Sequence, residues 1–244
     1  MVIWTAFAIL VSGPALAYTI EGKVEHVESL PAVERKFSPG VEFDQSLELS
    51  PDNIWIKVPS WLAGVWSARQ ETMVFRRDFR SGKESSERRD FKAKQDFTYG
   101  QQADKSGQVW HYLGVPYTSK STRSQAIEIH EVKEKQLVQG GSDEVTFRAV
   151  ATVILVDDFT SRIKRTYQQE SLTSYQPIAE DRLSMTASTK VFDAQGQPQT
   201  LQENEAIIKR ARRFQPIDRK DGKDLKGLFR QFLIAKGLGD LVVD

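Results

Sequence analysis

From about residue 53 to residue 214 the sequence alternates between apolar and polar positions, in runs cut by turn residues. Period two is the spacing of a β-strand, whose successive side chains point to opposite faces. Eight runs carry it: 65–79, 88–100, 108–116, 124–138, 144–156, 161–174, 182–192 and 200–214. The breaks between them fall at Ser81-Gly82, 104–107, 117–123, 140–143, Asp157-Asp158, Pro177 and 193–198. Such short connections favour antiparallel neighbours. In the second run Phe91, Ala93, Phe97 and Tyr99 share one face, and Asp90, Lys92, Lys94 and Asp96 share the other. Val145, Phe147, Ala149, Ala151, Val153 and Leu155 form one continuous apolar face, and Leu183, Met185, Ala187 and Val191 form another. An all-β fold with one buried and one wet face is expected, either a sandwich or a barrel. Long strands favour an eight-stranded antiparallel up-and-down barrel, because closure removes exposed edges.

The flanks read differently. Residues 2–11 are almost wholly apolar, Ser12-Gly13-Pro14 would break a helix, and Ala15-Leu16-Ala17 has the small-x-small form of a cleavage site. That order is expected of a secretory signal peptide over residues 1–17, although no Lys or Arg precedes the run. The other reading of the run is a buried N-terminal helix. The run is shorter than the roughly 20 residues a membrane span needs. Residues 18–52 contain Pro31, Pro39, Gly40 and Pro51 and read as an extended lead-in, with a strand expected at 19–27. The barrel is placed at 53–216 and a C-terminal helix with its tail at 217–244. Leu225, Leu228, Phe229, Phe232 and Leu233 make the stripe of an amphipathic helix, with Asp221 as the expected N-cap and Gly237 as the stop. That helix would pack on the barrel, or else meet a membrane surface or a protein partner.

Composition removes several function classes. The chain has 244 residues, no Cys and three His, so Cys-based zinc sites, disulfides and Cys nucleophiles are excluded. No metal or other cofactor is expected. Thirty-four Lys and Arg against 33 Asp and Glu leave a net charge of +1, with no global pull toward nucleic acid. The densest basic run, Lys209-Arg210-Ala211-Arg212-Arg213, is split by alternation between both faces, so no nucleic-acid partner is expected.

The first long run opens with Pro59-Ser60-Trp61-Leu62-Ala63-Gly64-Val65-Trp66. A turn followed by Gly-x-Trp at the head of eight strands and a helix resembles the lipocalin and wider calycin group. The resemblance implies that Gly64 allows a tight turn into the barrel and that Trp66 plugs its closed end. It also implies an Arg from the last strand packed across the Trp ring, a role open to Arg210 or Arg212. The group's usual disulfides are absent, since the chain has no Cys. The implied architecture is a barrel with one open mouth able to hold a small molecule.

If Trp66 points inward, parity turns Gln70, Thr72 and Arg76 inward with it. Phe97 and Tyr99 would join from the second run, Phe147 from the fifth, and Arg165 and Tyr167 from the sixth. His111 joins in one of the two parities open to the third run. These nine residues are the expected ligand-binding set. Such a lumen suits a ligand with an apolar body and a polar or anionic head, unless the polar groups satisfy one another in a filled interior. Among weaker candidates, His130 alternates with Glu128, and Glu203 with Glu205; both pairs are expected to meet opposite charges. The leading expectation is an exported, periplasmic or extracellular protein that binds or carries a small amphiphilic, lipid-like ligand without catalysis. The alternatives are a cell-envelope interaction module with a filled barrel, and an isomerase or hydrolase using His111, Tyr167 and Arg165.

Overall fold

The computed structural model describes residues 25–44, 49–123 and 125–243. The expected signal segment, and most of the strand expected at 19–27, lie outside the described residues. The chain is mostly β. Its strands are β1 Trp55–Val58, β2 Gly64–Asp78, β3 Glu84–Ser85, β4 Arg89–Tyr99, β5 Gln102–Ala103, β6 Val109–Tyr112 and β7 Tyr117–Arg123. They continue as β8 Ala126–Gly140, β9 Val145–Asp157, β10 Ile163–Ala179, β11 Arg182–Phe192, β12 Pro198–Arg213, β13 Arg219–Lys220 and β14 Lys223–Asp224. One α-helix, α1, follows at Leu225–Ala235.

Seven of the eight alternating runs enter one antiparallel sheet, ordered β7-β8-β9-β10-β11-β12-β2, with β3 and β4 along the outer edge of β2. The third run does not enter it. Residues 108–116 yield only β6, which joins β1 and β5 in a separate three-stranded sheet. Conversely, Tyr117–Arg123, read from sequence as a turn, is the edge strand β7. Its composition, Tyr-Thr-Ser-Lys-Ser-Thr-Arg, is that of a wet edge strand with little apolar alternation to reveal it. Among the described residues no ladder joins β4 to β7, so the sheet has two edges and a closed eight-stranded barrel is not observed.

One end of the sheet is tightly packed. Trp66 has no exposed surface and lies in a core with Leu62, Ala68, Val145, Tyr175, Leu183 and Ile208. Its indole N–H donates to the Leu62 carbonyl at 2.8 Å. The Arg210 guanidinium lies 4.1 Å above the Trp66 ring. Arg210 also donates to the carbonyls of Ala63 at 2.6 Å, Trp61 at 3.0 Å and Glu180 at 3.0 Å. Arg212 is exposed. Gly64 sits at φ +129, and a Cβ there would stand 2.6 Å from the Arg212 carbonyl oxygen. The corner therefore needs glycine for both its backbone angle and its close approach.

The sequence shows one apolar face on β9, but the strand is buried on both. Its second face, Thr152, Ile154 and Val156, is covered by the lead-in, where Phe37 and Phe43 pack on Ile129, Ile154 and Ile163. Side chains of the sheet hold that lead-in by its backbone. Thr166 donates to the Phe37 carbonyl at 2.6 Å, Gln168 to Pro31 at 2.8 Å and Lys190 to Val27 at 2.7 Å. Glu170, with no exposed surface, accepts from His26 at 2.9 Å, from the Val27 amide at 2.9 Å and from Arg148. Burial alone would raise the Glu170 pKa. These hydrogen bonds outweigh it and hold the pKa at about 2 rather than the ordinary 4.5.

Helix α1 buries Leu225, Phe229 and Leu233 and packs on the small sheet, with Phe229 4.8 Å from Trp55 and 5.8 Å from Trp110. Its N-cap is Asp224, which accepts from the Gly227 amide at 3.0 Å, and not the expected Asp221. Asp221 lies at φ +49 in the turn between β13 and β14. That two-residue hairpin delays the start of the helix by three positions.

Trp66→Ala should destabilise the protein by about 3–5 kcal/mol in denaturant melts, and a loss below about 1 kcal/mol would refute its role as the core plug. A low folded-state pKa on Glu170 means that its contribution is present above pH 4.5 and fades toward pH 2. Glu170→Ala should cost about 3 kcal/mol at neutral pH, by uncovering Arg148 and releasing the lead-in. The variant should also lack that part of the acid transition.

Candidate functional site

Because β4 and β7 do not pair, a seam runs between them, bridged by the small sheet and the β13–β14 hairpin. A cavity of about 540 Å³ opens in this seam. Its polar lining includes Gln101, His111, Tyr117, Lys135, Lys220 and Lys223. Pro51, Leu113, Pro116 and Leu225 supply apolar wall, and the Asp96 and Asp221 carboxylates also reach it. Asp96 is already engaged, accepting from Ser67 at 2.6 Å and from Arg69 at 3.2 Å.

Lys135 is the centre of this site. It comes from β8 and lies mostly buried, its Nζ 3.5 Å from His111 Nε2 and 5.6 Å from the Phe147 ring centre. Among the described residues no carboxylate stands within ion-pair distance of it. Burial, and then the charge of Lys220, bring its pKa down from 10.5 to about 8. His111 comes from β6 and is buried beside Tyr99, with 5.4 Å between ring centres. Burial, then the charges of Lys135 and Lys220, push its pKa well below the usual value, so the ring is neutral at pH 7. Its Nδ1 has no hydrogen-bond partner among the described residues. Gln101 is fixed by accepting from the Tyr112 amide at 2.7 Å. The cavity therefore presents three lysines and a neutral imidazole together with the acidic residues Asp96 and Asp221, and apolar walls around them.

The nine residues expected to line a lumen divide into three groups. Phe97, Tyr99, His111 and Phe147 are brought together, but in an aromatic core and not around an open lumen. Tyr99 stacks on Phe147 at 5.3 Å and donates to the Tyr175 hydroxyl at 2.7 Å; Phe97 meets Tyr175 edge-on at 6.4 Å. Burial raises the pKa of both tyrosines, so both stay protonated. Only His111 of this group also lines the cavity.

Gln70 and Thr72 face the wrong way. A register shift between Ala68 and Gln70 reverses parity beyond Ala68. Gln70 is exposed and Thr72 donates to Asp90 at 2.6 Å, while Glu71 takes the buried place and accepts from Asn204 at 3.3 Å. Burial raises the Glu71 pKa.

Arg76, Arg165 and Tyr167 lie at the far end of the sheet. Arg76 is exposed opposite Gln202, and Arg165 is exposed 5.3 Å over the Tyr167 ring. Tyr167 stands eight positions from Tyr175 on β10, roughly 26 Å along the strand. His111, Tyr167 and Arg165 therefore do not form one catalytic site. His130 Nε2 donates to the Glu128 carboxylate at 2.9 Å on its own strand, and Glu205 pairs with Arg88 at 3.1 Å.

Lys135 escaped the sequence reading for a definable reason. Parity from His130 and Val132 puts it outside. A register shift between Val132 and Glu134 turns it inward opposite Ala149. Its one visible signal was an odd spacing, two residues before Leu137, which packs on the core. Tyr175 fell just past the end assigned to its run.

Comparison of the chain with protein families, with curated proteins and with solved structures gives no match. The site's chemistry is the guide to its use.

A lysine whose pKa is lowered by folding opposes folding while it is charged. Stability should therefore rise as pH climbs from about 8 toward 10.5, where the unfolded chain still holds the proton. Lys135→Met should abolish that rise and stabilise the fold at pH 7 by about 1–2 kcal/mol in denaturant melts. Destabilisation with the rise intact would refute the burial of an uncompensated amine.

Proposed function

We propose that this is a non-catalytic binding protein for a small amphiphile with an anionic head. The head is held by Lys135, Lys220 and Lys223, and the apolar body lies against Pro51, Leu113, Pro116 and Leu225. The observation that carries this reading is the Lys135 ammonium, mostly buried in a 540 Å³ cavity without a carboxylate partner. Burying an unpaired charge is costly, and a ligand anion would relieve that cost. The volume lies in the range of small-molecule sites. The likeness to the lipocalin group rests on Gly64, Trp66 and Arg210; the proposed ligand site is the seam, not the barrel interior that likeness implied.

Export through residues 1–17 belongs to the same proposal and would deliver the binding domain outside the cytoplasm. The aromatic core around Tyr99, Phe147 and Tyr175 favours a second reading, an envelope interaction module that works through its surface with a filled interior.

Titration calorimetry with hexanoate and with methyl hexanoate, an ester of the same body, separates the two readings. The account expects hexanoate to bind and the ester to bind about ten-fold more weakly or not at all, a difference of about 1.4 kcal/mol. Lys135→Met should weaken the acid by a similar factor. Affinity should also fall as pH rises through about 8, where Lys135 loses its charge. Equal binding of acid and ester, or no binding of either, would favour the interaction module.

A further inference from the structure

We propose that Lys135 is a carbonyl-reactive amine that forms a reversible imine with a small aldehyde or ketone bearing an anionic group. The inference rests on the anion-binding reading of the seam and adds a covalent step to it. Three observations carry it. The Lys135 amine lines a cavity large enough for a small carbonyl compound. Its Nζ is 3.5 Å from His111 Nε2, a neutral ring nitrogen able to take a proton. Lys220 and Lys223 line the same cavity and would hold the anionic end of the ligand.

The groups facing Lys135 come from every side of the seam. His111 stands on β6, Tyr117 on β7, Asp96 on β4, and Lys220, Asp221 and Lys223 on the β13–β14 hairpin. Asp96 is occupied by Ser67 and Arg69. The balance favours loss of the lysine proton near pH 8, whereas exposed lysines keep theirs to about 10.4.

The step balances without an oxidant or a reductant. The neutral Lys135 amine attacks the carbonyl carbon, a C–N bond forms, and the carbonyl π electrons move to oxygen. The nitrogen gives a proton to His111 Nε2, and the oxygen takes one from solvent. The proton on His111 then lets that oxygen leave as water while the nitrogen lone pair forms C=N, and the protonated imine so formed returns one proton to solvent. Amine plus carbonyl gives imine plus water, and hydrolysis reverses it.

Reductive trapping tests the proposal on the full chain. Glyoxylate, an aldehyde with a carboxylate, is incubated with the protein and cyanoborohydride, which converts an imine to a stable secondary amine. Peptide mass mapping then reads the modified lysines. Lys135 should be trapped about ten-fold or more faster than the exposed lysines at pH 8. Its rate should rise with pH to a midpoint near 8. Lys220→Ala, a change at an exposed position, should move that midpoint upward by removing a nearby positive charge. His111→Gln should slow trapping by removing the proton acceptor. Modification of Lys135 at the rate of exposed lysines would overturn the proposal. If hexanoate still binds in that case, the imine fails and the anion-binding reading stands; if neither occurs, both fail.

Discussion

The stretch Leu113-Gly114-Val115-Pro116 cannot extend β6 into the main sheet, and much of the molecule follows from that. Gly114 sits at φ +52 with the Tyr112 ring folded against it, 2.3 Å from where a Cβ would stand. Pro116 has no N–H to give to a ladder. The chain therefore leaves the sheet after β4, builds the small sheet with β1 and β5, and returns at the opposite edge as β7. The two edges stay apart, and the cavity lies between them. Lys135, turned inward by a bulge, meets an imidazole and other ammonium groups there. It lacks the opposite charge that a buried lysine ordinarily finds.

The packing that stabilises the fold and the proposed binding site thus lie in different regions. The packed end is held by Trp66 under Arg210, with the tyrosine pair and Phe147 filling the space that a lumen would occupy. The outer face is stapled by the lead-in through Glu170. Most buried polar groups in both are paired, but on the outer face Thr152 Oγ1 and Glu131 Oε2 have no hydrogen-bond partner among the described residues. In the seam His111 Nδ1 has none either, and Lys135, hydrogen-bonded to His111 Nε2, has no carboxylate within ion-pair distance among the described residues. What sets the seam apart is that its unpaired groups line a cavity, the kind of local departure expected at functional sites.

The sequence reading reached as far as strict alternation reaches. Period two identified β2, β4 and β8 through β12, which bury a face along much of their length, except β4, where only the end at Phe97 and Tyr99 is covered and Phe91 is exposed. It placed Gly64 and Trp66 at a corner and offered Arg210 or Arg212 for the Trp66 ring, of which Arg210 takes the place. It failed where alternation slips. The bulge after Ala68 sent Gln70 and Thr72 outward and brought in Glu71. The bulge after Val132 brought in Lys135. Neither leaves a mark in local composition, since a bulge is fixed by the partner strand. β7 was missed because a polar edge strand reads as a loop. The second buried face of β9 was missed because what covers it comes from the lead-in, far away in sequence. Of the proposed site, His111 was legible and Lys135 was not.

The open seam is the central claim, and amide hydrogen exchange followed residue by residue tests it most directly. Amides of β9, β10 and β11, paired on both sides, should exchange slowly. The amides of β7 that point away from β8 should exchange quickly, as should those of β4 that point away from β2. Uniformly slow exchange through β7 and β4 would show that their edges are joined. The sheet would then be closed, and the seam cavity with its uncompensated lysine would not exist.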